Sequence, residues 1–190
     1  MLFLAALIVV SGLCGAESQN AKSVRNQSSA TIYNNTLKVV QRSGPLHLLW
    51  YSRRLQNNLD ECLISRFLKN ETNGARRTLE TNGKVPEQQT KDNITITLIE
   101  GPDSPSLKIE AIGGHLSRHW DYPHYLAFAR KNCFVLEALI TFRRKPYCVV
   151  WGAIDSKKKP FDCFQKAEKH CEIGTKVDLT KCADKKERQG

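Results

Sequence analysis

The sequence predicts an all-β domain of eight antiparallel strands, arranged as a sandwich or barrel and followed by a C-terminal helix. Short apolar or alternating runs recur about every ten residues, separated by Gly, Pro, Asn or Asp. After Lys157-Lys158-Lys159-Pro160 the apolar period changes to that of a helix. We expect a single domain over residues 31–182, because the sequence shows neither an internal repeat nor a linker.

The predicted elements follow one another in a regular order. Residues 31–41 allow a short N-terminal helix, which Gly44-Pro45 ends. The predicted strands are residues 46–51, 62–68, 76–80, 93–100, 107–112, 125–129, 133–142 and 147–151. The C-terminal helix begins after Pro160, carries Phe161, Phe164 and Cys171 at helical spacing, and ends before Gly174.

The first 16 residues carry no charge and consist of an apolar run followed by small residues. We interpret them as a secretory signal peptide cleaved near Gly15 or Ala16, although the usual basic start is missing. A membrane anchor is the alternative, but the run is shorter than the roughly 18 apolar residues that a span requires. Residues 17–30 are expected to form a flexible segment and residues 183–190 a charged tail.

Basic residues outnumber acidic ones by 29 to 19, for a net charge of +10, and 41% of the residues are hydrophobic. This is the composition of a packed globular protein. The positive charge is spread along the chain, for example at Arg53-Arg54, Arg143-Arg144-Lys145 and Lys157-Lys158-Lys159. Nucleic acid is not a partner for a secreted protein, so we expect the charge to serve solubility, with glycosaminoglycan or an anionic cell surface as the alternative.

Cysteines and glycosylation sequons also indicate secretion. Loss of the signal peptide removes Cys14 and leaves an even number of cysteines, as disulfide pairing requires. They are Cys62, Cys133, Cys148, Cys163, Cys171 and Cys182. Four sequons predict N-glycosylation, at Asn26, Asn34, Asn70 and Asn93. Because no free cysteine and no catalytic motif is present, we expect neither an enzyme nor a cofactor.

Histidines and aromatic residues cluster between the predicted fifth and sixth strands. His115 and His119 have the spacing of a helical metal pair, and His124 follows them. Gly113-Gly114 before them and Pro123 after them favour a turn instead. We therefore predict an ordinary polar loop here and no metal site.

Eight up-and-down strands followed by a helix resemble the lipocalin plan, a small barrel able to hold one ligand. The motifs Asn132-Cys133-Phe134-Val135 and Tyr147-Cys148-Val149-Val150-Trp151, with the later cysteines, resemble the ending of the tick salivary lipocalins, which include histamine-binding proteins. Gly44-Pro45-Leu46-His47 and Asn70-Glu71-Thr72 are similar to that family's early strands, although the usual Gly-x-Trp is absent.

The resemblance implies an up-and-down barrel, a helix packed outside it, and a secreted monomer. It also implies the disulfides Cys62–Cys182 and Cys133–Cys163, which leave Cys148–Cys171 as the third.

Strand alternation then assigns the lumen. If the helix packs outside, Cys133 and Cys148 point outward and alternate residues point inward; a glycosylated Asn93 orients its strand in the same way. The residues predicted to line the lumen are Leu63, Phe67, Ile96, Leu98, Ile109, Phe134, Leu136, Ile140, Val149 and Trp151. The alternative to a ligand site is that these side chains fill the barrel interior themselves. Candidates for polar contacts with a ligand are Arg77, Glu100 and His124, although we expect Arg77 and His124 at the surface.

An apolar lumen indicates the class of ligand. According to the resemblance, family members that bind amines carry acidic residues at two positions. One position directly follows the cysteine that corresponds to Cys133, and the other lies two residues before the tryptophan that corresponds to Trp151. Phe134 and Val149 occupy those positions here. We therefore expect a small hydrophobic ligand, such as a fatty acid, eicosanoid or sterol, sequestered so as to blunt host defence. The alternatives are a biogenic amine such as histamine or serotonin, or a protein-interaction module that acts on host immune cells or complement through its outer surface.

Overall fold

The structure, a computed structural model, describes residues 27–59, 62–114, 116, 120, 123–139, 145–154 and 160–183. Its strands are β1 Leu46–Ser52, β2 Leu63–Ser65, β3 Phe67–Glu71, β4 Gly74–Thr81, β5 Lys91–Ile99, β6 Ser106–Ala111, β7 His124–Arg130, β8 Cys133–Leu139, β9 Tyr147–Gly152 and β10 Gly174–Lys176. Its α-helices are α1 Ser29–Val40 and α2 Phe161–His170. The predicted signal peptide and residues 184–190 lie outside the described residues, as do Asn26, His115, His119 and Ile140.

The strands form a closed antiparallel barrel. Neighbours follow the order β1, β2, β4, β5, β6, β7, β8, β9, and β9 returns to β1 through pairs such as Leu48 with Trp151. β2 and β3 share one position in the wall, because both pair with β4. The predicted eight-stranded barrel with an N-terminal and a C-terminal helix is confirmed.

Two strands differ from the prediction. The strand predicted over residues 62–68 is divided at Arg66, where Thr78 Oγ1 accepts a hydrogen bond of 2.9 Å from the Arg66 N–H. β10 was not predicted, since Gly174-Thr175-Lys176 shows no apolar alternation. It pairs with the end of β1, beyond the residues that pair with β2, and Gly174 lies so close to the Trp50 indole that no Cβ would fit there.

Helix α1 covers one end of the barrel. Ser28 caps it by accepting a hydrogen bond from the Thr31 N–H, so the helix begins inside the segment predicted to be flexible. Its apolar face is buried in the barrel's inner core through Ile32, Tyr33, Val39 and Val40. The Gln41 side chain, directly after the helix, donates to the Glu71 and Gly74 carbonyls and ties this end to the turn between β3 and β4.

Helix α2 packs outside the barrel against β7, β8 and β9. The disulfides Cys133–Cys163 and Cys148–Cys171 join it to the wall, and Cys62–Cys182 joins the second strand position to the C-terminal segment. The structure thus contains the two pairs that the resemblance implied, Cys62–Cys182 and Cys133–Cys163, and the third pair that they leave, Cys148–Cys171. An outer core lies between helix and wall, formed by Leu49, Trp50, Phe128, Cys133, Val135, Cys148, Val150, Cys163, Ala167 and Cys171.

Candidate functional site

Strand alternation separates an inner from an outer face in the late strands. Phe134 and Leu136 belong to the inner core, whereas Cys133 and Val135 belong to the outer core beneath α2. Glu137 also lies outside, where its Oε1 is 2.7 Å from His170 Nε2 on α2. The late strands therefore present apolar side chains to the lumen.

The lumen contains an apolar cavity of about 30 Å³. Its described lining residues are Leu46, Ser65, Leu79, Ile94, Ile96, Leu107, Ile109, Trp120, Phe134, Leu136 and Trp151. None of these residues carries a charge. Because the volume suits about one or two water molecules, side chains occupy most of the lumen.

The residues predicted to line the lumen fall into groups. Five of them border the cavity: Ile96, Ile109, Phe134, Leu136 and Trp151. Three others are buried in the inner core without bordering it: Leu63, Leu98 and Val149. Phe67 is half-buried on β3, and its ring centroid is 5.8 Å from the Arg77 guanidinium carbon.

Trp120 borders the cavity although it belongs to the predicted polar loop. It lies in the connection between β6 and β7 and is 5% exposed. Its ring packs edge-to-face against Trp151, with centroids 6.3 Å apart, and against His124 at 5.9 Å. Leu116, from the same connection, is also buried in the inner core. In the sequence, only the large apolar indole indicates that Trp120 is buried, because the flanking residues show no apolar period.

Arg77 corrects the prediction of a surface position, since its side chain is fully buried (0% exposed). Its Nε donates to Ser65 Oγ at 3.0 Å. Its Nη1 donates to the Val40 and Arg42 carbonyls, and its Nη2 to the Gly44 and Ser65 carbonyls, at 2.8–2.9 Å. A buried arginine is tolerated where its N–H groups are satisfied in this way.

The environment of Arg77 indicates a structural role. Burial, and then the Arg42 charge, lowers the pKa of Arg77 to about 10, so the guanidinium stays charged at neutral pH. Its five N–H donors hold the connection between α1 and β1 against β2 and β4. Since these donors are engaged, the geometry offers none of them to a ligand carboxylate.

The other two candidates for polar contacts lie in different environments. His124 is 2% exposed, which corrects its expected surface position; it begins β7 and packs against Trp120. Glu100 is exposed, directly after β5. Burial, and then the Glu100 charge, raises the pKa of Tyr33 on α1, and Glu100 is not among the described residues that line the cavity.

Three of the sequon asparagines are described, and all are exposed: Asn34, Asn70 and Asn93. Within the described ranges, no group of His, Cys, Asp and Glu side chains is arranged to hold a metal ion. The helices of those same ranges are all too short or too polar to cross a membrane.

Comparisons with known proteins bear on the fold. No protein-family profile matches the sequence, and no curated protein matches it. A similar solved structure is the tick lipocalin japanin from Rhipicephalus appendiculatus, bound to cholesterol. The TM-score is 0.53 at 13% sequence identity, over 73% of this chain and 94% of japanin. At this identity the similarity shows the fold, and the chain therefore has a lipocalin-like barrel.

Proposed function

We propose that this chain is a secreted carrier that binds a small lipophilic molecule inside its barrel and so sequesters it from host receptors. The uncharged, apolar lining of the lumen cavity carries the proposal, because apolar concave sites suit lipophilic ligands. The three disulfides and the exposed sequons support secretion. The structure of japanin, which has a similar fold, is of the protein bound to cholesterol, and this supports a small lipophilic ligand. Within that class we propose a fatty acid, eicosanoid or sterol. Such a carrier acts stoichiometrically, without turnover.

Ligand binding requires inner side chains to move, since the cavity of about 30 Å³ is smaller than any of these molecules. Trp120 is suited to move, because it comes from a connection and takes no part in the strand pairing. Its withdrawal frees volume beside Trp151, against which its indole now packs. Trp120 is therefore a plug that the ligand replaces.

An amine ligand is disfavoured by the same lining. A buried ammonium without a carboxylate partner carries a desolvation cost of several kcal/mol. At the positions where the resemblance implies acids, Phe134 borders the cavity and Val149 lies in the inner core. Glu100, the remaining candidate acid, is exposed.

Native mass spectrometry of the secreted protein, before and after lipid extraction, tests the proposal. We expect a bound lipid before extraction, and afterwards uptake of one equivalent of oleate or cholesterol but not of histamine. Uptake of histamine without either lipid would overturn the proposal. A barrel that takes up none of them would favour a protein-interaction module with a structural barrel.

A pair of variants locates the binding site. Phe134→Asp places a carboxylate on the cavity wall and is expected to abolish lipid uptake. Tyr125→Asp is the matched control, because Tyr125 is 47% exposed on β7. Circular dichroism of both variants separates loss of binding from loss of folding.

A further inference from the structure

Two buried hydroxyl groups lie at the end of the barrel that α1 covers, which we call the closed end. Ser65, the last residue of β2, borders the lumen cavity and is 4% exposed. It pairs with Leu46, the first residue of β1, shortly after the end of α1. Thr36 belongs to α1 itself and is 0% exposed. Both hydroxyls are therefore shielded from water where the helix closes the barrel.

Thr36 lies at the centre of the buried face of α1. At 3.6 residues per turn, the other buried residues of this face lie to either side of it, and all belong to the inner core: Ile32, Tyr33, Val39 and Val40. The Thr36 hydroxyl has no hydrogen-bond partner among the described residues. A threonine within a helix can bond to a carbonyl of the preceding turn, but this one does not. Because an unpartnered buried hydroxyl costs free energy, a ligand that bonds to it recovers that cost.

The Ser65 hydroxyl uses its oxygen but not its hydrogen. Its Oγ accepts a hydrogen bond of 3.0 Å from Arg77 Nε. The hydroxyl hydrogen donates to none of the described residues. Since a hydroxyl is both donor and acceptor, this hydrogen can still be donated to a group in the cavity. The bond from a guanidinium polarises the hydroxyl and makes it a stronger donor.

The positive charge of Arg77 lies directly behind Ser65. Its five N–H groups donate to the Ser65 hydroxyl and to four backbone carbonyl groups, all of them neutral. Since these bonds use every N–H group, no carboxylate is hydrogen-bonded to the guanidinium. Burial and the Arg42 charge lower the pKa of Arg77, and neither of these causes is an acidic group. Through Ser65, this buried charge favours an anionic acceptor on the cavity side.

We propose that the closed end of the lumen binds the carboxylate of a single-chain lipophilic acid of the fatty acid type, which accepts hydrogen bonds from the Thr36 and Ser65 hydroxyls. A carboxylate is an acceptor only and has two oxygens, so it matches a pair of hydroxyl donors.

The apolar chain of this ligand extends along the lumen toward Trp120 and takes the place of the indole. The connection that carries Trp120 lies at the opposite end of the barrel from α1, since Ser29 of α1 bonds to Gly101 in the connection between β5 and β6. This inference rests on the proposed carrier function and refines it, because it makes a lipid acid the preferred ligand over its neutral counterpart.

Calorimetric titration with oleate and with oleyl alcohol, which has the same chain but no charge, tests the inference. Thr36→Val replaces one hydroxyl by a methyl group of similar size, and Ser65→Ala removes the other. Each is expected to weaken oleate binding about tenfold, as for the loss of one charged hydrogen bond. Oleyl alcohol binding is expected to weaken by no more than about threefold, because a hydrogen bond to a neutral acceptor is about half as strong.

Asn34→Gln is the matched control for Thr36→Val, because Thr36 also completes the sequon of Asn34. The control removes the sequon, keeps the Thr36 hydroxyl, and is expected to leave both affinities unchanged. Thermal unfolding without ligand separates binding from folding. Thr36→Val is expected to be at least as stable as the unmodified protein, since an apolar group of the same shape replaces an unpartnered hydroxyl. A less stable variant would show that the hydroxyl is already bonded, and would overturn the inference.

The remaining outcomes separate this inference from the carrier function. Unchanged oleate binding in either folded hydroxyl variant, or equal weakening of oleate and oleyl alcohol, would show the closed-end assignment to be wrong while the carrier function stands. The same holds if Asn34→Gln weakens binding as much as Thr36→Val, or if the unmodified protein binds cholesterol but not oleate. If the unmodified protein binds neither oleate, oleyl alcohol nor cholesterol, the carrier function itself is wrong.

Discussion

Trp120 packs edge-to-face against Trp151 inside the barrel, with ring centroids 6.3 Å apart and ring planes at 65°. Trp151 belongs to β9 and pairs through its backbone with Leu48 and Phe134 on either side. Trp120 belongs to the connection between β6 and β7. One ring is therefore anchored in the wall, whereas the other is positioned by side-chain packing, and this difference determines which ring can yield to a ligand.

Trp120→Ala is expected to raise the affinity for cholesterol or oleate. The ligand no longer displaces an indole, so the binding-competent state is more populated before binding. Leu116→Ala is the control, because Leu116 comes from the same connection and is buried without bordering the cavity. It is expected to leave affinity unchanged. Weaker binding by Trp120→Ala, measured by calorimetry, would make the indole part of the binding wall and not a plug.

Arg77→Lys is expected to lower the free energy of unfolding by about 3 kcal/mol, because lysine has fewer donors and leaves buried carbonyls unsatisfied. Arg76→Lys is the matched control: Arg76 is exposed and pairs with Glu71 at 2.9 Å. A change of at most about 0.5 kcal/mol is expected there. Equilibrium unfolding in denaturant measures both, and equal effects would contradict a structural role for Arg77.

Gly174→Ala is expected to destabilise the protein by about 1–3 kcal/mol, as overpacking usually does. An added Cβ meets the Trp50 indole and the Tyr51 carbonyl oxygen, so β10 must move away from β1. Gly114→Ala is the control, because a Cβ there meets no atom within 4 Å. Thermal unfolding compares the two. A stable Gly174→Ala variant would show that β10 tolerates displacement.

His47 is expected to make stability depend on pH. Burial, and then the Arg66 charge, lowers the pKa of His47 in the folded state. As the pH falls through the ordinary histidine value of about 6.5, the unfolded state binds the proton first, so the free energy of unfolding decreases. The contribution of His47 is therefore fully present above that pH and is lost below it.

His47→Asn is expected to flatten this dependence. Urea unfolding at a series of pH values between about 7.5 and 5 measures the slope, since this range spans the ordinary histidine pKa. An unchanged slope in the variant would assign the acid sensitivity to other groups.

Much of the barrel follows from alternation and cysteine positions. Cys133 had to face the helix, and this one orientation places Phe134 and Leu136 on the opposite face, where the structure has them. β10 could not be predicted in this way, because its three residues show no apolar alternation. They form a strand only through their pairing with β1, which the sequence does not indicate. The start of α1 at Ser29 likewise depends on the cap that Ser28 provides. Because Ser28 lies in a polar segment that contains other serines, the sequence does not show which serine caps the helix.

Less of the lumen site than of the barrel could be predicted from the sequence. Leu79 borders the cavity, but its strand contains neither a cysteine nor a sequon that would orient it. Trp120 reaches the lumen from a connection without periodicity. The burial of Arg77 depends on four carbonyl groups that only the folded backbone brings together. Each of these positions is set by tertiary contacts and not by local pattern.

Tryptophan emission during lipid titration tests the lumen carrier proposal most directly. The protein has three tryptophans, and variants that retain one each, with phenylalanine at the other two positions, separate their signals. Trp120 and Trp151 border the lumen cavity, whereas Trp50 lies in the outer core beneath α2. We expect cholesterol or oleate to change the emission of Trp120 and Trp151 saturably at one equivalent, with Trp50 unchanged. Binding that alters Trp50 alone, or none of the three, would contradict a ligand site in the lumen.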